Sequence, residues 1–208
     1  MIENTTAFEL WYSINHIEIE YEATFTNIDK DEIRNKLTEV GATLKRVEFT
    51  QKRTVFNLPK NNEIKGGWMR IRDEGDKITM SLKVVDGNNI EDQKEACVEV
   101  NNYKEAELIL TTLGCERKAY QETKRELWVI DEVEITIDTW PFLESFIEVE
   151  GTSEEKVMSV SNKLEMSWDE AKFCAVDVLY SEKYGIPTHQ INNETPEILF
   201  EMKNPFLK

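Results

Sequence analysis

Carboxylates and basic side chains recur at alternate positions in several short segments of the sequence. The clearest pairs are Glu20 and Glu22, Glu148 and Glu150, and Arg70 and Arg72. Side chains at positions i and i+2 of a strand share one face. Two carboxylates on one face supply the hard oxygen ligands that Mg²⁺ or Mn²⁺ prefers, and two arginines can bind phosphate oxygens in bidentate fashion. The pattern therefore indicates one site for a metal ion and a phosphate.

Almost every predicted strand has such a polar face. The polar positions are Glu18, Glu20, Glu22, Thr24, Arg70, Arg72, Thr79, Ser81, Lys83, Glu95, Cys97, Glu99, Glu132, Glu134, Thr136, Asp138, Glu148 and Glu150. On a single strand, such a face is most simply solvent-exposed surface. Predicted amphipathic helices must also bury their apolar stripes, and the apolar strand faces are available to them. If the helices lie outside, the charged faces point into an interior that needs water, metal and an anion.

The strands that position these residues are predicted from alternation and turn chemistry. In the first strand, Ile17, Ile19, Tyr21, Ala23 and Phe25 share one face, opposite Glu18 to Thr24. Further strands are predicted at 51–56, 68–72, 78–84, 94–100, 124–130, 132–138 and 145–150. Eight strands suffice for a closed barrel.

Helices are predicted from capping residues and apolar spacing. Asp29 and Glu32 form a capping signal for a first helix that ends near Gly41, and a second helix over 104–113 ends at Gly114. The sequences that follow these two helices are loosely similar, which favours two similar halves around one core.

The C-terminal third is also predicted to be helical. Ser153 begins one helix, and Ser167 with Glu170 is predicted to cap another that continues to Tyr184 and Gly185. Pro187 prevents continuation, so the tail 186–208 is predicted to lie extended across the surface.

Composition narrows the class of protein. The 208 residues with 40% hydrophobic content predict one domain, and the net charge of −16 argues against nucleic-acid or anionic-lipid partners. The three scattered cysteines indicate neither a disulfide framework nor a zinc site, and they favour the reducing cytoplasm. Residues 1–16 are interpreted as a peripheral extension. The sequence is compatible with a homodimer.

The segment EYEATF, residues 20–25, resembles the ExExK signature of the CYTH, or triphosphate tunnel, superfamily, named after class IV adenylyl cyclase and thiamine triphosphatase. The resemblance continues through RIR (Arg70, Arg72), the Lys83 strand, KR (Lys124, Arg125), IDTW (Asp138) and IEVEG (Glu148, Glu150). It covers about residues 17–185. It implies an α+β fold, with a closed eight-stranded antiparallel β-barrel that forms a tunnel and helices packed outside.

The resemblance also implies roles for individual residues in binding a triphosphate with Mg²⁺ or Mn²⁺. The implied metal ligands are Glu20, Glu22, Asp138, Glu148 and Glu150, with Glu95 or Glu99 as the acid of the middle strand. The implied phosphate ligands are Arg70, Arg72, Lys83 and Arg125, together with Lys124 and either Lys52 or Arg53. Thr24 stands where the signature has lysine, and a hydroxyl cannot supply that positive charge. The resemblance implies four catalytic positions, namely Glu20, Glu22, Thr24 and Lys83.

Three functions remain open on this basis. The first is a hydrolase of inorganic triphosphate, a nucleoside triphosphate or thiamine triphosphate; the second is a class IV adenylyl cyclase that makes cyclic AMP and pyrophosphate. The third is a polyphosphate- or nucleotide-binding protein in which Thr24 marks lost catalysis. The sequence lacks a G-x-x-x-x-G-K loop and a G-x-S-x-G elbow, and its only histidines are His16 and His189.

Overall fold

The computed structural model describes residues 17–207, so the predicted N-terminal extension and His16 lie outside the described residues. The strands are β1 (Glu18–Ile19), β2 (Tyr21–Phe25), β3 (Thr43–Asn57), β4 (Gly67–Asp73), β5 (Ile78–Val85), β6 (Gln93–Val100), β7 (Glu116–Ile130), β8 (Val133–Thr139), β9 (Phe146–Gly151) and β10 (Glu197–Ile198). The α-helices are α1 (Lys30–Glu39), α2 (Tyr103–Thr112), α3 (Glu154–Lys163), α4 (Val176–Tyr184) and α5 (Thr188–Glu194). No helix in this part of the chain is long and apolar enough to span a membrane.

The strands form a nearly closed antiparallel barrel, which confirms the predicted fold class. The order around the sheet is β1-β6-β5-β4-β3-β7-β8-β9-β2. β1 and β2 stand at the two ends of this order but are separated in sequence only by Glu20. Pairing of β1 with β6 and of β2 with β9 therefore brings the sheet round on itself. The path has nine strands where eight were predicted, because Glu20 interrupts the first predicted strand.

β3 and β7 are much longer than the predicted segments. Each has 15 residues, and the two strands pair antiparallel along most of their length. Register shifts between Leu44 and Arg46 and between Arg46 and Phe49 interrupt the alternation of apolar and polar residues in β3. Alternation detects only a regular strand, so the irregular first part of β3 was missed.

Three helices begin at the polar residues that their sequences place there. The Asp29 side chain accepts hydrogen bonds from the backbone N–H groups of Asp31 and Glu32 at the start of α1. Asn102 and Ser153 cap α2 and α3 in the same way. Each cap satisfies backbone donors that have no partner within the helix.

The prediction of one helix from Ser167 to Tyr184 was wrong. Ser167 precedes only a 3₁₀ turn, Trp168–Glu170, and its side chain makes no capping hydrogen bond. Lys172 instead exchanges two backbone hydrogen bonds with Thr24 of β2, at 2.9 and 3.0 Å. This pairing fixes an extended segment, so α4 begins only at Val176. The helix ends at Tyr184, and Gly185 after it adopts a left-handed conformation.

The tail after Gly185 is not simply extended. Pro187 is the residue before α5, where its fixed backbone angle suits a helix start. Ile191, Ile198 and Phe206 are buried against Trp140 and Tyr180. Their burial attaches the tail to the barrel, with β10 pairing in parallel with β7.

The main apolar core lies between the outer face of the barrel and the helices. Ile135 and Val149 of the barrel and Leu37 and Val157 of the helices are all 0% exposed. The charged strand faces are therefore left to point inward, as predicted.

Ile135→Ala is expected to lower the free energy of unfolding by about 2–5 kcal/mol, because the deleted atoms leave a cavity in a fully packed core. Urea denaturation measures this loss. Val98→Ala is the control, since Val98 is 55% exposed and its truncation leaves no cavity. Equal losses in the two variants would contradict this location of the core.

Candidate active site

The barrel encloses a cavity of about 630 Å³ that receives most of the predicted site residues. The predicted residues that line it are Glu20, Glu22, Arg53, Arg70, Arg72, Lys83, Glu95, Arg125, Glu148 and Glu150. Alternation along each strand brings them inside, since every second side chain faces the interior. Thr24, Glu99, Lys124 and Asp138 are not part of this lining.

One side of the cavity is an acidic wall formed by Glu20, Glu22, Glu148 and Glu150. Carboxylate oxygens of Glu20, Glu22 and Glu150 lie within 4.8 Å of one another. Glu22 and Glu150 are direct partners across β2 and β9. Burial and the neighbouring carboxylates of Glu148 and Glu20 raise the pKa of Glu22 well above its ordinary value. Burial and the carboxylate of Glu20 raise the pKa of Glu150 to about 7. This clustering of negative charge fits a bound cation.

The opposite side is a basic wall formed by Arg53, Arg70 and Arg72. Arg53 and Arg72 are direct partners across β3 and β4. Burial and the neighbouring Arg70 lower the pKa of Arg72 to about 10, and burial with Arg70 and Arg72 lowers that of Arg53. The buried Nε atoms of Arg53 and Arg70 have no hydrogen-bond partner among residues 17–207. Unused donors in a repulsive cluster of cations fit a bound anion.

Arg53 is held in place by residues that the sequence patterns did not identify. Its Nη2 donates to Gln51 Oε1 at 2.8 Å and to Thr123 Oγ1 at 2.6 Å, and its guanidinium lies 4.6 Å from the Trp140 ring centroid. Gln51 lies two positions before Arg53, and Thr123 lies two positions before Arg125. Strand alternation could therefore have placed both side chains on the inner face of the barrel. Lys52, the alternative to Arg53, is exposed on the outside.

Lys83 and Glu95 connect the two walls. Lys83 Nζ lies 2.7 Å from Glu20 Oε2 and 3.7 Å from Glu95, and Arg70 Nη2 donates to Glu95 Oε1 at 2.8 Å. Burial alone would raise the pKa of Glu95, but Lys83 and Arg70 outweigh it and hold that pKa low. Glu95 is thus the acid of the middle strand that faces the site, whereas Glu99 is exposed.

Asp138 lies behind the cavity surface. It is 0% exposed, and it accepts hydrogen bonds from Arg125 Nε and Nη2, both at 2.8 Å, and from Thr136 Oγ1 at 2.6 Å. Arg125 also donates to Glu148. The structure therefore places Asp138 as a support that orients Arg125, apart from the cluster of Glu20, Glu22 and Glu150.

Thr24 and Lys124 are also kept out of the cavity. Thr24 is 3% exposed, and its backbone pairs with Glu148 on one side and Lys172 on the other. Lys124 faces outward, with Nζ 3.9 Å from Glu48 and 5.3 Å from the Phe200 ring centroid. Its neighbour Arg125 points inward, as adjacent residues of a strand must point to opposite faces.

The raised pKa values predict how the metal-free protein responds to pH. The pKa of Glu150 is about 7 in the folded protein, against an ordinary 4.5. The folded state therefore binds this proton more tightly than the unfolded chain does. Protonation of Glu150 thus stabilises the folded state, and this contribution is fully present below about pH 4.5 and is lost as the pH rises through about 7. We expect the Tm in EDTA to fall between about pH 5 and pH 7.5, and to fall less in Glu150→Gln. Thermal denaturation followed by circular dichroism tests this, and an equal fall in both proteins would contradict it.

Solved structures share this fold at low sequence identity. A conserved hypothetical protein from Pyrococcus furiosus is 20% identical, with a TM-score of 0.63, and the match covers 75% of this chain and 96% of that one. A proposed adenylate cyclase from Vibrio parahaemolyticus is 13% identical, with a TM-score of 0.67 and coverage of 80% and 99%. A proposed adenylyl cyclase from Hippeastrum, described as having a dominant triphosphatase activity, is 11% identical, with a TM-score of 0.52 and coverage of 81% and 98%.

A search of curated proteins found no significant match. The sequence-family model of the CYTH domain matches residues 16–177 of this chain. This range is most of the chain and includes both walls of the cavity. The protein therefore belongs to the CYTH family.

Proposed function

We propose that this protein is a divalent-metal-dependent phosphohydrolase that acts on a triphosphate compound. The observation that carries the proposal is the opposition of two charged walls in one cavity. Three clustered carboxylates on one side offer oxygen ligands, and buried arginine donors without partners among residues 17–207 stand on the other. A triphosphate bound together with a divalent metal ion would satisfy both walls at once.

The acidic wall fits Mg²⁺ or Mn²⁺. Glu20, Glu22 and Glu150 would hold the ion, since they offer hard carboxylate oxygens and lie close enough together to share it. When bound, such an ion withdraws charge from phosphate oxygens and orients water for attack. The raised pKa values of Glu22 and Glu150 support this role, because a bound cation would stabilise their charged forms.

The basic wall would bind the phosphates and neutralise the charge that develops as water attacks the terminal phosphorus and the diphosphate part of the substrate departs. Arg53, Arg70 and Arg72 can each donate several hydrogen bonds to phosphate oxygens. Asp138 holds the Arg125 guanidinium with two hydrogen bonds of 2.8 Å, which presets its orientation beside Glu148. Lys83 adds an ammonium group next to Glu20.

A second candidate is a protein that binds triphosphate without hydrolysing it. Thr24 favours this candidate, because it replaces the signature lysine and is 3% exposed outside the cavity lining. No ammonium group then reaches the site from that position. Lys83, which lines the acidic side of the cavity, is the cation that could substitute for it.

Product analysis separates these functions. The protein would be incubated with inorganic triphosphate, ATP and thiamine triphosphate in Mg²⁺ or Mn²⁺, with a chelator as control, and phosphate, pyrophosphate and cyclic AMP would be measured. We expect metal-dependent release of phosphate. Release of cyclic AMP with pyrophosphate would show a cyclase, and binding without any product would show the second candidate.

A further inference from the structure

A buried carboxylate follows β4 beside the basic wall. Glu74 comes directly after this strand, and its backbone N–H donates to Lys77 O at 2.9 Å, which closes the turn into β5. The Glu74 side chain lines the cavity, although the residue is only 6% exposed. A buried carboxylate is costly unless cations or hydrogen-bond donors surround it, so its partners indicate its role.

Arg72 is the nearest cation to this carboxylate. Glu74 Oε1 lies 2.7 Å from Arg72 Nε, and the two residues are two positions apart along the chain. Two other cations lie farther away, with Lys77 Nζ at 3.8 Å and Arg46 Nη1 at 4.0 Å from Glu74 Oε2. A carboxylate at Nε leaves both Nη groups of the Arg72 guanidinium available to phosphate oxygens.

Glu74 is itself fixed by the irregular first part of β3. Arg46 Nη2 donates to the backbone oxygen of Glu74 at 2.5 Å, and the Arg46 guanidinium lies 3.4 Å from the Phe49 ring centroid. Arg46 stands between two register shifts in the pairing of β3 with β7, and such irregularities redirect side chains. The irregular part of β3 thus fastens the turn that carries Glu74.

Arg72 stands among other cations and needs a contact that holds it. Arg53 is its direct partner across β3 and β4, and Arg70 lies two positions before it on the same face. Burial and the charges of Arg70 and Arg125 lower the pKa of Arg72 to about 10, and the Glu74 carboxylate opposes this shift. Repulsion from these neighbours favours rotamers that carry an unheld guanidinium away from the wall.

We propose that Glu74 is a positioning residue of the basic wall, whose carboxylate holds Arg72 at Nε so that both Nη groups face the bound triphosphate. Glu74 does not bind the phosphates, because its own charge repels them. The inference rests on the proposed function, which places the triphosphate between the two charged walls.

The sign of the effect on binding distinguishes positioning from a simple charge effect. A carboxylate beside an anion site weakens anion binding by its charge alone, so its removal would tighten the binding of triphosphate. If Glu74 holds Arg72 in place, its removal weakens that binding instead, because the guanidinium is no longer oriented.

The test titrates inorganic triphosphate calorimetrically in Mg²⁺ into the unmodified protein and variants of Glu74. Glu74→Asp keeps the charge but withdraws the carboxylate from Arg72 by one methylene group, and Glu74→Gln keeps the length and an acceptor oxygen. We expect about tenfold weaker binding in Glu74→Ala and Glu74→Asp, and binding within about threefold of the unmodified protein in Glu74→Gln. Glu99→Ala is the control, because Glu99 is an exposed glutamate of β6 outside the cavity lining and its loss should change nothing.

A double-mutant cycle shows whether Glu74 acts through Arg72. Glu74→Ala should cost no further affinity in an Arg72→Met background. Glu74→Ala also leaves buried cations without their partner, so the comparison of Glu74→Asp with Glu74→Gln decides the question if this variant does not fold.

Three results would overturn the positioning role and leave the proposed function standing. They are unchanged binding in Glu74→Asp, tighter binding in Glu74→Gln and Glu74→Ala, and an equal loss from Glu74→Ala with and without Arg72. Failure of the unmodified protein to bind inorganic triphosphate would overturn the proposed function as well.

Discussion

Glu150→Gln is expected to lower metal-dependent triphosphate hydrolysis by about 100-fold, because it removes a carboxylate oxygen from the cluster that would hold the metal. Glutamine keeps the shape of the side chain but offers a neutral oxygen. No salt bridge of Glu150 exists among residues 17–207, so the substitution leaves no cation unpaired. The rate of phosphate release at increasing Mg²⁺ concentration measures the loss, and the apparent metal affinity should fall with it.

Glu18→Gln is the matched control for this variant. Glu18 is an exposed glutamate two positions before Glu20, and it does not line the cavity. Its substitution should leave both the rate and the metal dependence unchanged. If Glu150→Gln behaved like Glu18→Gln, the carboxylate cluster would have no role in metal binding.

Arg53→Met is expected to have opposite effects on binding and on stability. Arg53 is 5% exposed, and its Nε has no hydrogen-bond partner among the described residues. Burial lowers the pKa of Arg53, and the neighbouring arginines lower it further. Removing this buried charge should therefore raise the Tm of the free protein. The same change removes phosphate hydrogen bonds from a charged donor, so triphosphate affinity should fall at least about tenfold.

Calorimetric titration and thermal denaturation of the same preparation measure the two effects. Lys52→Met serves as the control, since it removes a cation from the outer face of the same strand and should change neither quantity. A lower Tm together with unchanged affinity would mean that Arg53 is a structural residue of the barrel and not an anion ligand.

The barrel and most of its charged lining could be predicted because strand alternation is a local property. Glu20 between β1 and β2, Glu22 on β2, and Glu148 and Glu150 on β9 face the same cavity as Arg70 and Arg72 of β4. Burial of the opposite strand faces under the helices decides this orientation. The sequence supplies both patterns, so no knowledge of long-range contacts was needed.

Strand alternation could not predict which inward-facing side chains reach the surface of the cavity. Asp138 has the same inward parity as Glu134 and Thr136, yet it is covered by Arg125 and does not line the cavity. Thr24 also has inward parity, but its backbone pairs with Lys172 in the segment before α4. These positions depend on neighbours that are distant in sequence.

The part of the cavity wall that the C-terminal segment forms was missed for a related reason. It arises because α4, α5 and β10 pack beside the first half of β7, where β8 has ended. The apolar residues of α4 were consistent with any buried helix face. The break between Ser167 and Val176 arises from backbone pairing of Lys172 with Thr24, which leaves no signal in the periodicity of either segment.

Calorimetric titration of inorganic triphosphate into the unmodified protein, with Mg²⁺ and with EDTA, tests most directly whether the two charged walls bind metal and triphosphate as one site. We predict saturable one-to-one binding in Mg²⁺ and binding at least about tenfold weaker in EDTA, because the acidic wall repels the anion when no cation is present. Equal affinity under both conditions, or no binding under either, would contradict the account.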